Sequence, residues 1–257
     1  RDDLVTGVQT CALPICQVVR VGPRSDISGE SMNRFHGFLC VAVGLLFAGQ
    51  AVATDVSGPI TTTTWTKANS PYHVTGTITV PAGNTLTIEA GVDVLFDADV
   101  QFVVWGALNA VGTETDSIRF VKSSAAEWGG LRISGGDSST IAYTRISDGH
   151  AEGSWPNNCG GGIYLSGSDT RLGMHNSVVT GNTASYGGGL HNDDATATLT
   201  NCTITGNTAS YGGGGMRNGY FATATLTNCT ISGNTAWDGG GLDNDVSSTA
   251  RLTNCTI

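Results

Sequence analysis

The sequence predicts an all-β fold, a parallel β-helix in which each coil of the chain stacks on the coil before it. Three observations predict it: a repeat of about 26 residues, strand-forming residues separated by turn residues, and an alternation that buries the same positions in every repeat. Charged residues make up only 13% of the chain, and 37 of the 257 residues are glycine, which is unlike a helical protein.

The repeat is visible as four columns, spaced 25 to 27 residues apart. The columns are Gly-Asn-Thr-Ala starting at Gly181, Gly206 and Gly233; Asn-Cys-Thr starting at Asn201, Asn228 and Asn254; Gly-Gly-Gly with an apolar residue at Ile163, Leu190, Met216 and Leu242; and Asn192, Asn218 and Asn244. At ~3.3 Å per strand residue, one repeat holds three short strands and their turns. The spacing would also fit a leucine-rich repeat, but the L-x-x-L-x-L pattern is absent.

The spacing of apolar residues within one repeat predicts where the chain bends. Cys202 and Ile204 share a face by alternation, whereas Leu199 falls on the opposite face unless the chain bends at Asn201. Asn tolerates the left-handed backbone conformation that such a bend requires. We also expect Gly187 to Gly189, and the equivalent triplets, to supply positive φ angles at the next turn.

Stacking of identical residues predicts ladders along the solenoid. One asparagine ladder is expected at Asn201, Asn228 and Asn254, a second at Asn182, Asn207 and Asn234, and a cysteine column at Cys202, Cys229 and Cys255. We interpret the cysteines as core residues. A disulfide between neighbouring coils is the alternative, since a coil spacing of ~4.8 Å permits it. Paired metal ligands are absent, and the state of Cys159, outside the column, is open.

The glycosylation pattern Asn-Cys-Thr is not interpreted as a modification site. A stacked asparagine has its side-chain amide engaged, and the chain resembles bacterial sequences.

The ends of the chain predict processing and export. Residues 5–15 resemble a translated sequencing adapter, as found in metagenome-derived sequences, so residues 1–31 are interpreted as non-native. Residues 32–53 have the pattern of a signal peptide, with an uncleaved anchor as the alternative. The remaining segments are an N-terminal cap (54–71), irregular coils (72–149) and regular repeats (150–257), which stop in mid-repeat and suggest a fragment. We expect an exported, extracellular or surface-associated protein without a transmembrane segment in its mature part.

The charge of the chain limits its partners. Its 21 acidic and 12 basic residues give a formal net charge of −9. This balance argues against nucleic acid or an anionic membrane surface as a partner.

Two stretches carry a family resemblance, which covers the chain from about Val80 to its end. The strings VPAGNTLTIEAGVDVLF, GALNAVGT, SIRF and WGGLRIS are similar to bacterial right-handed parallel β-helix surface proteins. Ile231, Gly233 and Asn234, followed by Gly239, Gly240 and Leu242, resemble the FxxN and GGAI repeats of polymorphic outer membrane proteins, with Ile in place of Phe. The resemblance implies a right-handed, pectin-lyase-like solenoid of seven or eight coils that acts as a secreted or cell-surface, adhesin-like scaffold. Carbohydrate, or a protein of a host or neighbouring cell surface, is the expected partner.

The alternative function is enzymatic, because the fold also resembles pectate-lyase-like polysaccharide lyases and glycoside hydrolases. That resemblance implies Ca²⁺ held by carboxylates and a basic residue that takes a proton. The candidates are Arg217 as the base and Asp193, Asp194, Asp243 and Asp245 as calcium ligands. The other interpretation of these residues is a polar loop edge, and no further cofactor or catalytic residue is predicted.

Three aromatic residues occupy equivalent positions just before the glycine runs. Tyr186, Tyr211 and Trp237 are expected to form a stripe along one side of the solenoid. They either pack the turn or form a platform for carbohydrate.

Overall fold

The computed structural model describes residues 53–97, 99–123, 127–245 and 247–257. The predicted non-native segment (1–31) and, except for residue 53, the predicted signal peptide (32–53) lie outside the described residues. Within the described part, none of the helical segments has the length and apolar character needed to cross a membrane.

The regular secondary structure of the described chain is β-strand, apart from one 3-10 helix at Lys67–Asn69. In chain order the strands are β1 (Thr54–Pro59), β2 (Thr63–Trp65), β3 (Tyr72–Val80), β4 (Thr85–Ile88), β5 (Asp93–Phe96), β6 (Val100–Val104), β7 (Ala107–Val111), β8 (Ile118–Lys122), β9 (Trp128–Ile133), β10 (Ser138–Ala142), β11 (Thr144–Ser147), β12 (Ile163–Ser166), β13 (Arg171–His175), β14 (Val178–Thr180), β15 (Thr183–Tyr186), β16 (Leu190–Asp193), β17 (Thr196–Thr200), β18 (Thr203–Thr205), β19 (Thr208–Gly212), β20 (Met216–Gly219), β21 (Thr223–Thr227), β22 (Thr230–Ser232), β23 (Leu242–Asn244) and β24 (Thr249–Thr253).

Most of these strands form the three faces of a solenoid, in which equivalent strands of successive coils pair in parallel. Outside the faces, β1 pairs in parallel with β3, and β15 with β19. Face 1 contains β5, β8, β11, β14, β18 and β22; face 2 contains β6, β9, β12, β16, β20 and β23; face 3 contains β2, β4, β7, β10, β13, β17, β21 and β24. The long strand β3 joins faces 1 and 2, since its start pairs with β5 and its end with β6. Face 3 has eight strands, so the chain makes about seven complete turns. The predicted right-handed parallel β-helix is confirmed.

The core changes character along the solenoid. At its start, Trp65 and Tyr72 stack with ring centroids 4.6 Å apart, and Phe96 and Trp128 stack at 4.0 Å. In the later coils the buried residues are mainly Leu, Ile, Ala and Cys, which repeat in register from coil to coil.

The predicted bend between two strands of each late coil is present. Asn201, Asn228 and Asn254 have φ angles of 53°, 54° and 52°. As a consequence Leu199 and the neighbouring Ile204 both reach the interior, where each is fully buried.

The expectation that all three glycines of each triplet adopt positive φ is wrong. Only the first does so, with φ of +62° at Gly187 and +66° at Gly213. At Gly188 a Cβ atom would lie 2.6 Å from the Gly214 carbonyl oxygen and would also clash with the Thr208 carbonyl. Glycine is needed there because the backbones of adjacent coils approach too closely for a side chain.

Candidate functional site

The regular repeat is broken in one coil by an insertion. His150 pairs with Thr183, and Cys159 pairs with Tyr186 of the next coil. Eight residues lie between His150 and Cys159, whereas only two lie between Thr183 and Tyr186 in the next coil. The earlier coil therefore contains six extra residues. We call residues 153–158 the insertion loop. Stacking does not require this loop, so its side chains are candidates for function.

A buried arginine holds the insertion loop against face 2. Arg132 donates from Nη2 to the Pro156 carbonyl (2.8 Å) and from Nη1 to the Cys159 carbonyl (3.3 Å). Its guanidinium lies 4.4 Å from the centre of the Tyr164 ring. Burial lowers the pKa of Arg132, and the two carbonyls stabilise the charged group inside the protein.

Arg132 begins a row of polar side chains on the outer side of face 2. The register of β9, β12, β16, β20 and β23 places Arg132, Tyr164, His191, Arg217 and Asp243 side by side, and we call these five residues the outer column. The insertion loop covers the middle of this column.

The centre of the outer column is a buried histidine. His191 is fully buried, and neither of its ring nitrogens has a hydrogen-bond partner among the described residues. The rings of Trp155 and Tyr164 pack edge-on against it, with centroids 5.6 and 5.5 Å away. Burial, reinforced by the positive charge of Arg217, lowers the pKa of His191 to about 3. The imidazole is therefore neutral at neutral pH.

Arg217, the predicted catalytic candidate, forms ion pairs with two of the predicted calcium ligands. Its Nη2 lies 2.5 Å from Asp245 Oδ2, and its Nη1 lies 3.3 Å from Asp243 Oδ2. The guanidinium also lies 4.7 Å from the centre of the Tyr186 ring. A guanidinium thus occupies the space between these two carboxylates. Burial raises the pKa of Asp243, an effect that Arg217 opposes.

The other two predicted calcium ligands lie one coil earlier. Asp193 accepts a hydrogen bond from the Tyr164 hydroxyl (3.1 Å), and burial raises the pKa of its carboxyl group. Asp194 follows it at the end of β16 with a φ of 51°. Within the described residues, the four aspartates do not provide three carboxylates close enough to share an ion. Calcium binding at these residues stays a prediction.

The predicted asparagine ladders differ in burial. Asn182 donates to Asn207 (2.9 Å), which donates to Asn234 (3.0 Å), and the first two of these side chains are fully buried. In the other ladder Asn228 donates to Asn201 at 3.2 Å, on the exposed surface. In both ladders the hydrogen bonds join asparagines that the sequence predicted to stack in successive coils.

A third asparagine ladder was visible in the sequence only as a column. Asn192 donates to Asn218 (2.8 Å), which donates to Asn244 (2.8 Å). The first two side chains are fully buried. The signal was the recurrence two residues after the apolar position, which alone does not distinguish a ladder from a turn.

The cysteines of the described part are all free thiols. Cys202 and Cys229 are buried in the core column, Cys255 is partly buried, and Cys159 is buried beneath the insertion loop. Contact with the Cys229 thiol, together with burial, raises the pKa of Cys202. Burial raises the pKa of Cys159 to about 12. Neither thiol is therefore a ready nucleophile.

Aromatic rings surround the insertion loop on the outside of the solenoid. Trp155 packs edge-on against Tyr186 and Tyr220, at centroid distances of 6.2 and 6.3 Å, and Tyr186 stacks on Tyr211 at 5.1 Å. We call these four residues, together with Phe221, which directly follows Tyr220 in the chain, the aromatic surface. Trp155, Tyr211, Tyr220 and Phe221 are 48, 57, 56 and 71% exposed.

The sequence predicted only part of this surface. Tyr186 and Tyr211 contact each other as the stripe requires, and Trp237 occupies the position of Tyr211 in the next coil, 86% exposed. Trp155 and the neighbouring Tyr220 were missed because they lie outside the repeated columns, in the insertion loop and in the turn after β20.

Together these features define a right-handed parallel β-helix with one enlarged coil and an aromatic surface beside it. The chain belongs to the right-handed β-helix family, because the family model described as "Right handed beta helix region" matches residues 109–257. No curated protein and no solved structure matches the chain.

Proposed function

We propose that this protein is an exported, adhesin-like β-helical scaffold that binds a neutral polysaccharide through its aromatic surface. The observation that supports the proposal is the group of exposed rings around the insertion loop. A stable monomeric protein gains nothing from exposing such rings to water, and contiguous exposed apolar patches commonly mark binding sites. The stacked coils present the rings on a rigid support, which keeps the entropy cost of binding low.

The chemistry around the rings favours a sugar over a protein partner. Tyr186, Tyr211 and Tyr220 each combine an apolar face with a hydroxyl group, which suits a ligand with apolar faces and polar edges. The net charge of −9 disfavours an acidic polysaccharide at long range. A host or neighbour surface protein is the other partner predicted from the sequence, and the same experiment tests it.

The proposal is tested by titrating neutral and acidic oligosaccharides into the mature chain and into three variants. We expect binding of a neutral oligosaccharide and a loss of about tenfold, or 1.4 kcal/mol, in each of Trp155→Ala and Phe221→Ala. Trp105→Ala is the matched control, since Trp105 is 51% exposed in an early coil outside the aromatic surface. Equal affinity in all four proteins, or retention on cell-surface protein but on no oligosaccharide, would contradict the proposal.

A polysaccharide lyase is the second candidate function, and His191 is the observation that favours it. His191 lies between Tyr164 and Arg217, and its neutral imidazole has a free nitrogen lone pair. Because a pKa of about 3 makes this imidazole a weak base, Arg217 stays the group proposed to take a proton next to a carboxylate. In this structure the insertion loop covers His191, so substrate reaches it only after the loop moves.

Turnover distinguishes the two functions. Acidic polysaccharides are incubated with the protein, with and without Ca²⁺, and unsaturated products are followed by ultraviolet absorbance. The scaffold proposal expects none. Turnover that His191→Ala and Arg217→Ala both abolish would replace it with the lyase, and a calcium requirement lost in Asp243→Asn would locate the ion.

A further inference from the structure

A second cluster of side chains lies at the start of the enlarged coil, away from the outer column. His150 Nδ1 is 2.5 Å from Glu127 Oε2, and His150 Nε2 is 2.8 Å from Glu152 Oε1. His150 and Glu152 point outward on either side of the buried Ala151, whereas Glu127 comes from the preceding coil. One imidazole and two carboxylates thus lie together, although the two glutamates are 25 positions apart in the sequence.

The stacking of coils does not explain these residues. The position of His150 pairs with Thr183, and the same column continues through Thr208 and Thr235. Glu152 lies two residues after His150, and the equivalent residue in the next coil, two after Thr183, is Ser185. Among the described coils that follow, threonine recurs at the first position and serine occupies the second in two of them (Ser185 and Ser210). Only the enlarged coil places an imidazole and a carboxylate here.

Open space lies beside the cluster. A cavity of about 200 Å³ is lined by the three side chains together with Asp99, Gln101 and Asn157. The Glu127 backbone N–H donates to Asp99 Oδ1 at 3.1 Å, which fixes the backbone of the residue that carries the first carboxylate, just before β9. The site is large enough for an ion and its bound water, and one wall is already held in place.

We propose that Glu127, His150 and Glu152 bind a divalent transition metal of the zinc type, with water completing the coordination. Their donor atoms all lie within 4.8 Å of one another. An imidazole offers one ion a single ring nitrogen, and here the two carboxylates contact different nitrogens of His150. One of the two exposed glutamates therefore has to move to the nitrogen that binds the ion, and zinc–ligand bonds of about 2.0–2.2 Å then draw the three ligand atoms together. An imidazole with two carboxylates selects zinc-type ions over Ca²⁺ and Mg²⁺, which prefer oxygen ligands alone. The site is separate from the aspartates predicted to bind calcium.

The experiment uses the mature chain without an affinity tag, freed of metal with a chelator. Zn²⁺ is titrated by calorimetry, and Co²⁺ is added separately to observe its visible absorption. We expect one Zn²⁺ per chain, a cobalt spectrum typical of nitrogen and oxygen ligands, and no displacement by excess Ca²⁺. His150→Thr and Glu152→Ser should bind Zn²⁺ at least about tenfold more weakly, since losing even an outer partner of a ligand costs that much.

The two variants are chosen because they restore the residue types of the regular coils, so folding should be preserved. Circular dichroism checks this, and His175→Thr, on β13 of face 3, is the matched control with unchanged affinity. The proposal is overturned if the parent protein shows neither heat nor a cobalt spectrum. It is equally overturned if His150→Thr binds as tightly as the parent, or if Ca²⁺ displaces Zn²⁺.

Discussion

The early coils (72–149) and the late coils (160–257) hold the same stack together with different side chains. The early coils pack large rings in the interior, such as Phe96 on Trp128 and Phe102 near Phe120. The late coils have a smaller, aliphatic interior and join each coil to the next through asparagine ladders such as Asn207 to Asn234. The early register therefore depends on the shapes of the rings, and the late register on directional hydrogen bonds.

This difference explains why only half of the solenoid has a visible repeat. An amide ladder works when each coil supplies the same residue at the same place, so the hydrogen bonds themselves require repetition. Packing of rings requires only that neighbouring volumes fit, and many combinations do so. The two regions should consequently respond to different substitutions.

The largest effect is expected from removing a ring in the early coils. Trp128 is fully buried, stacks on Phe96, and donates its indole N–H to the Ser147 carbonyl at 3.0 Å. Trp128→Ala should lower the free energy of unfolding by about 4 kcal/mol, measured by urea denaturation. Trp105→Ala, at an exposed position, should change it by less than about 0.5 kcal/mol. A small effect of Trp128→Ala would mean that rings do not determine packing in these coils.

The next effect is expected from breaking the buried ladder in the late coils. Asn207 donates to the Val179 carbonyl and to Asn234, and it accepts from the side chain and backbone of Asn182. Asn207→Ala leaves several of these buried groups without partners, at a cost of about 3 kcal/mol in the same urea experiment. A loss below about 1 kcal/mol would show that aliphatic packing, and not the ladder, holds the late coils.

His191 is an exception in the late coils, because its buried ring nitrogens lack the partners that the ladders provide. Its folded pKa of about 3 lies below the ordinary value of 6.5. Below pH 6.5 His191 is therefore protonated in the unfolded chain but not in the folded chain. The free energy of unfolding consequently falls as the pH falls toward 3. This group should cost about 1.6 kcal/mol between pH 6.5 and pH 5.

The comparison with His191→Phe isolates this contribution. Phenylalanine keeps the edge-on contacts with Trp155 and Tyr164 but does not titrate. The raised pKa values of Asp193 and Asp243 act in the opposite direction in both proteins, so they largely cancel in the difference. Parallel stability curves of the two proteins between pH 6.5 and pH 5 would contradict the buried, neutral state of His191.

The sequence predicted the parts of the fold that repeat and missed those that do not. The coil length and the bend at Asn201 follow from columns of equal spacing, which stacking imposes. The insertion loop has no second copy, so no column marks it. His150 and Glu127 meet only because two coils stack at that point, and their separation of 23 residues in sequence carries no signal.

The smallest effect is expected at Asn201. Asparagine can recur at one position of each coil either for its backbone conformation or for its amide hydrogen bonds, and a substitution at Asn201 distinguishes the two. Asn201 has a φ of 53° and hydrogen-bonds to Asn228 on the exposed surface, so it is present chiefly for its backbone conformation. Asn201→Gly should change the free energy of unfolding by less than about 0.5 kcal/mol, because glycine adopts this conformation freely. If its cost instead approaches that of Asn207→Ala, the exposed amides contribute as much as the buried ones. The ladder, rather than its burial, would then determine the stability of the late coils.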